Sequence, residues 1–159
     1  GLDLKLAIKN FEYILYNSEI EQGINSALTV TAVPGMPALA KYINKCSKIK
    51  PIYWSMTKAA NRNDKHKPYL YPGIFGPEIN KWGLSEAIEL FDTNTNGSPD
   101  SVKVNHKKFM QGNMIEFSKQ TADIKRIQQF EIYLNELDRR RGTDWTKLYP
   151  QIRNLIKDL

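Results

Sequence analysis

The sequence predicts an α/β fold: a parallel sheet covered by helices, then a mostly helical C-terminal extension. Three observations carry this. Helical and extended patterns alternate as helix, strand, helix, strand over the first third of the chain. Both candidate strands are short and apolar, as in sheets buried on two faces. Beyond residue 77 only helical patterns recur. The expected division is therefore 1–76, a sheet segment with a long loop, and 77–159, a helical extension.

The elements follow in order. Leu4, Ile8, Phe11, Ile14 and Leu15 recur at helical spacing, which predicts a helix over 3–17, with Asp3 favouring its start. Gly23 to Ser26 read as a turn. Ala27 to Val33 is rich in β-branched residues and reads as the first strand. Pro34 to Pro37 ends it and opens a helix whose apolar side is Leu39, Tyr42, Ile43 and Cys46. Lys50 to Thr57 is the second strand candidate. Two strands do not bury a parallel sheet, so further strands are expected from the loop region, another chain or a missing segment.

Lys58 to Gly76 shifts to Asn, Asp, Lys, His, Pro and Gly, interrupted by Tyr69-Leu70-Tyr71, and reads as a long connection. Pro77 to Phe91 resumes helix with a reset at Gly83 and Ser85, Ser85 being a candidate N-cap. Asp92 to Ser101 is a polar turn, and 105–120 is helical around Phe109, Met110, Ile115 and Phe117. The strongest pattern is 121–141, where Ile124, Ile127, Phe130, Leu134 and Leu137 repeat every three to four residues. Arg139, Arg140 and Arg141 complement the dipole at its end, and Gly142 stops it. Residues 150–159 form a last short helix.

Apolar content of 41% and charged content of 25% are those of a globular protein. No apolar run reaches the ~20 residues of a membrane span, and the first residues show no apolar h-region, so a cytoplasmic protein with no membrane partner is expected. The chain opens on Gly1 and enters a helix at once, as a tag remnant or a piece of a longer protein would. The single cysteine, Cys46, excludes an intrachain disulfide and reads as a small core residue. Asp92 to Gly97 matches the first half of an EF-hand loop, but Pro99 and Lys103 occupy its eighth and twelfth positions, so an Asx-rich turn is the reading. No metal site is expected. The net charge of +6 and three clusters, Lys65-His66-Lys67, His106-Lys107-Lys108 and Arg139-Arg140-Arg141, allow a nucleic-acid partner, with Tyr69, Tyr71 and Trp82 as stacking residues. Asp138 followed by arginines sets up ion pairs; folded under the Trp145 loop, Asp138, Arg139, Arg141 and Trp145 would form a structural latch.

Three stretches together resemble one family. Residues 137–150 follow the pattern LDxxRGTxWxxxYP, which resembles the C-terminal helix and tail of radical S-adenosylmethionine (radical SAM) proteins with the reduced "twitch" extension. Asn25 to Val33 followed by Pro34 to Ile43 resembles a late barrel strand and its helix in those enzymes. Lys67 to Pro72, with Ile74 and Pro77-Glu78 beyond, resembles the segment after the last barrel strands. The resemblance implies a partial parallel (β/α) barrel-like sheet of the TIM-barrel type. It implies S-adenosylmethionine and a [4Fe–4S] cluster as cofactors. It also implies a partner, the missing N-terminal barrel half or another chain. The family's CxxxCxxC run is absent, so this chain alone would not assemble the cluster. The implied reading is the C-terminal part of an enzyme of unknown substrate, catalytically incomplete by itself. The alternative is a basic, helix-rich accessory module that binds nucleic acid or a protein. In the barrel reading, Ala27, Thr29 and Thr31 face inward by period-two alternation, with Trp54 and Met56 or Tyr53 and Ser55 beside them. Thr29, Thr31 and Ser55 are the candidate cofactor contacts; no catalytic residue is assigned.

Overall fold

The computed structural model describes residues 4–58, 65–91 and 100–158. Its fold is mixed α/β and mostly helical. β1 (Gln22–Leu28) and β2 (Ile52–Lys58) pair in parallel, from Gln22 opposite Ile52 to Leu28 opposite Lys58. A 3₁₀ turn, Val33–Gly35, and α2 (Met36–Ser47) make the crossover that parallel neighbours require. Among the described residues the sheet has two strands.

β1 lies earlier than its β-branched content suggests. Gly23 to Ser26, expected as a turn, is its middle, and Thr29 to Val33, expected as strand, is the turn that follows. Pairing decides this. The β2 register takes up residues 22–28, and the amides of Ala32 and Val33 turn back onto the Thr29 carbonyl. Val30 and Val33 still reach the core, but from a turn. Of the expected inward set of Ala27, Thr29 and Thr31, only Ala27 lies within the strand. Ala27 is exposed, Thr29 and Thr31 are half-buried beyond the strand, and Leu28 and Val30 are the buried residues.

The two sheet faces differ. Leu28, Ile52, Trp54 and Met56 are buried, and the Trp54 indole N–H donates to Ser26 Oγ at 2.6 Å. Phe91 covers Trp54 with ring centroids 5.2 Å apart. α2 buries Met36, Pro37, Ala40, Ile43 and Cys46 in the same core. On the other face Gly23, Asn25, Ala27, Ser55 and Thr57 are exposed and Tyr53 is half-buried. α1 (Leu4–Asn17) sends Leu15 into the core and sets Phe11 6.2 Å from the Tyr42 ring, which leaves Leu6, Ile8 and Ile14 exposed.

The expected long loop is in part core. Residues 71–76 are all buried, although only short 3₁₀ turns organise them. Phe75 meets Trp82 at 4.8 Å and Phe130 at 5.9 Å, and Tyr71 meets Phe117 edge-on at 5.6 Å. A π-helical turn, Asn80–Leu84, precedes α3 (Ser85–Leu90). Ser85 is not an N-cap: its hydroxyl donates back to the Asn80 carbonyl, inside a continuous turn. Gly83 is the tight point, because a Cβ there would stand 2.4 Å from the Val33 carbonyl oxygen.

α4 (Asp100–Ser118) starts earlier than expected and runs through Gly112, where a side chain would meet only open space. α5 (Ile124–Arg141) buries Ile127, Phe130 and Leu134. Asp123 caps its start by accepting from the Arg126 amide, and Gly142, at φ 64°, ends it as a left-handed stop. α6 (Trp145–Leu148) and α7 (Pro150–Lys157) complete the chain, with Trp145 and Ile152 buried. One continuous core runs from Leu15 to Ile152. No helix among the described residues is long and apolar enough to cross a membrane. Asp3, the Asp92 to Gly97 loop and the His106 side chain lie outside the described residues.

Gly83→Ala forces either the Val33 turn or the π-helical turn to move. It is expected to cost about 2–4 kcal/mol, measured as a fall in urea midpoint at constant slope. A loss below about 0.5 kcal/mol would show that the close approach relaxes freely.

Candidate functional site

The C-terminal ends of β1 and β2 lead into the turn at 29–33 and the segment 65–75, and the two join where the Val30 amide donates to the Leu70 carbonyl. α5 lies across this end of the sheet, with the Tyr69 and Tyr133 rings 5.2 Å apart and tilted by 40°. Tyr133 stands between two cavities. The smaller, about 180 Å³, is lined by Thr31, Leu137, Asp138, Arg141, Trp145 and Tyr149 among others. The larger, about 470 Å³, is lined by Lys65, His66, Pro68, Tyr69, Gln129, Ile132, Tyr133 and Glu136.

Asp138 closes the smaller cavity. Its carboxylate accepts from the Thr143 hydroxyl at 2.5 Å and from the Trp145 amide at 2.6 Å. The Trp145 indole N–H donates to Asn135 Oδ1 at 2.7 Å. Asp144 caps α6 by accepting from the Thr146 amide and hydroxyl. The structure thus brings Asp138 and Trp145 together, through a backbone amide rather than through the expected arginine ion pair. Arg139 is not part of it, because it grips Glu136 in a bidentate pair with both contacts at 2.8 Å. Arg140 reaches the same carboxylate at 2.6 Å, and Arg141 stands in the wall of the smaller cavity. The spacing of Glu136 to Arg139 and Arg140, three and four residues, is the helical ion-pair rule.

The hydrogen bonds from Arg139 and then Arg140 hold the Glu136 carboxyl at a pKa of about 2. Hydrogen bonds from Thr146, then Lys147, hold Asp144 below the ordinary carboxylate range. Folded-state values below the unfolded ones stabilise above the unfolded pKa, and the benefit is lost as pH falls through the folded value. Burial pushes the Cys46 thiol up, so it stays protonated on the core side of α2.

The candidate cofactor contacts fall in two places. Thr29 and Thr31 sit just past β1, with hydroxyl oxygens 3.3 Å apart, and Thr31 reaches the smaller cavity. Ser55 is on the exposed sheet face, in register with Asn25. Asn25 precedes Thr29 by four residues, which puts Ser55 roughly 13 Å down the sheet. Among the described residues no three His, Cys, Asp or Glu side chains converge on a possible metal position. Asn25, Tyr133 and Glu136 are site residues that the sequence reading passed over. No family model, curated protein or solved structure matches this sequence.

Asp138→Ala removes the acceptor shared by Thr143 and the Trp145 amide. The expected result is a loss of about 1–2 kcal/mol and faster tryptic cleavage after Arg141; an unchanged cleavage rate would show that packing of Trp145 alone holds the tail. Glu136→Gln should flatten the stability loss of the wild-type chain between about pH 4 and pH 2, read by acid titration of far-UV ellipticity. Parallel acid curves for the two chains would remove Glu136 from the account.

Proposed function

We propose that this chain is the C-terminal part of a radical S-adenosylmethionine protein of unknown substrate, contributing β1 and β2 to a parallel (β/α) barrel. The observation that carries the reading is the half-covered sheet. Parallel sheets are ordinarily buried on both faces, and two strands are too few to stand alone. Here the helices bury one face, and the other offers Gly23, Asn25, Ala27, Ser55 and Thr57 to solvent. Small and hydrogen-bonding residues suit a barrel interior that encloses a polar nucleoside, whereas an apolar face would suit plain filling. Thr29 and Thr31 lie beyond the strand end, on the side where barrel enzymes place their sites.

The chain's own residues do not fit a [4Fe–4S] cluster. Its one thiol is buried on α2, and three thiolates are needed. Cluster binding therefore falls to the partner segment. What this chain supplies is a wall: Asn25 and Ser55 as hydrogen-bonding groups, Thr29 and Thr31 at the rim, and a latched tail that closes the end of the sheet. S-adenosylmethionine, when bound, would provide the adenosyl group of the family's radical chemistry.

The accessory-module alternative has less support. Arg139 and Arg140 are committed to Glu136, Tyr71 is buried, and Trp82 is packed on Phe75, which leaves Tyr69 of the three expected stacking residues.

The test is anaerobic reconstitution of the chain together with the polypeptide that carries a CxxxCxxC run in its reading frame or beside it. Dithionite reduction in the presence of S-adenosylmethionine should release 5′-deoxyadenosine. Ser55→Trp should lower that release at least tenfold, with far-UV ellipticity unchanged, by filling the open face. No such cysteine run in either place, or release unaffected by Ser55→Trp, would overturn the reading.

A further inference from the structure

Among the described residues the larger cavity is lined by residues 65–69 and α5, so it stands apart from the barrel reading. Its floor is the Tyr69–Tyr133 pair, both half-buried, whose 40° tilt opens a wedge of aromatic face. Ile132, 68% exposed, extends the apolar floor along α5. Gln129 stands on the wall with an amide that both donates and accepts. Lys65 and His66 form the opposite rim, and both are exposed. Among the described lining residues the one carboxylate, Glu136, is already covered by two guanidinium groups, and Lys65 supplies the positive charge.

An apolar aromatic floor, one amide and a cationic rim are the complement of a flat heterocycle joined to an anion. A volume near 470 Å³ is within the range of small-ligand sites. We propose that this cleft binds a nucleoside monophosphate. The base stacks on Tyr69, its edge meets Gln129, and the phosphate lies against Lys65. Base–aromatic stacking supplies most of the affinity, and the exposed Lys65 ammonium orients the phosphate.

Titration calorimetry of the whole chain tests this, with adenosine monophosphate, adenosine and ribose 5-phosphate as probes. Adenosine monophosphate should saturate one site, adenosine should bind roughly fivefold more weakly, and ribose 5-phosphate roughly tenfold or more weakly. Lys65→Gln, a surface change that leaves the fold alone, should bring adenosine monophosphate to the affinity of adenosine and leave adenosine unchanged. Tyr69→Leu should weaken both by roughly tenfold. Equal binding of ribose 5-phosphate and adenosine monophosphate would overturn the proposal, because it would mean a patch of charge only. So would the absence of saturable adenosine monophosphate binding, or binding that neither substitution changes.

Discussion

A buried segment that is neither helix nor strand must find a partner for each backbone polar group, and residues 71–76 set that condition for the rest of this chain. The requirement is met by neighbours from several directions. The Ile74 carbonyl accepts from the Asp123 amide at 2.8 Å, which fixes where α5 begins. The Leu70 carbonyl accepts from Val30 and ties the segment to the end of β1. The Tyr71 hydroxyl donates to Glu116 on α4, and Gly76 lies where a Cβ would press to 3.0 Å from the Gln120 carbonyl. Phe75 then fills the space between Trp82 and Phe130. The segment thereby positions Tyr69 against Tyr133 and sets the wall between the two cavities.

The sheet depends on this arrangement from one side only. Burial of Trp54, Ile52 and Leu28 stabilises by about 1.5–3 kcal/mol for each side chain, and all of that gain lies on the helical face. On the opposite face only Tyr53 is half-buried, and Gly23, Asn25, Ala27, Ser55 and Thr57 are exposed. Residues chosen for packing would be expected to be apolar there, whereas Asn25, Ser55 and Thr57 are not.

The helical half of the fold was legible in the sequence, because a 3.6-residue period and a glycine stop are local signals. α5, its Gly142 end and the apolar side of α2 follow from them directly. The position of β1 was not legible. Gly23, Asn25 and Ser26 are poor strand formers taken alone, and only the register with β2, about thirty residues away, selects them. The buried run at 71–76 was hidden for a similar reason: Pro72, Gly73 and Gly76 carry a turn signature, and nothing local marks their burial. At the candidate site, the spacing suggested arginine partners for Asp138, whereas its carboxylate accepts from Thr143 and the Trp145 amide once Gly142 turns the chain back. The partner of Arg139 was open to the same reading, since Glu136 precedes it by one helical turn. Tyr133 was not readable, because it flanks the apolar stripe of α5 and is given its role by Tyr69, far away in the chain.

The hydrogen bond from the Trp145 amide to Asp138 spans seven residues, whereas the β1–β2 ladder joins positions thirty apart. Closing a loop of about ten residues takes on the order of 10–100 ns, and pairing strands across a helical crossover is far slower. The tail can therefore reach its native contacts while the sheet is still unpaired. The latch thus closes on the most local of these contacts, whereas the β1–β2 ladder and the Tyr69–Tyr133 pair join positions thirty and sixty-four residues apart.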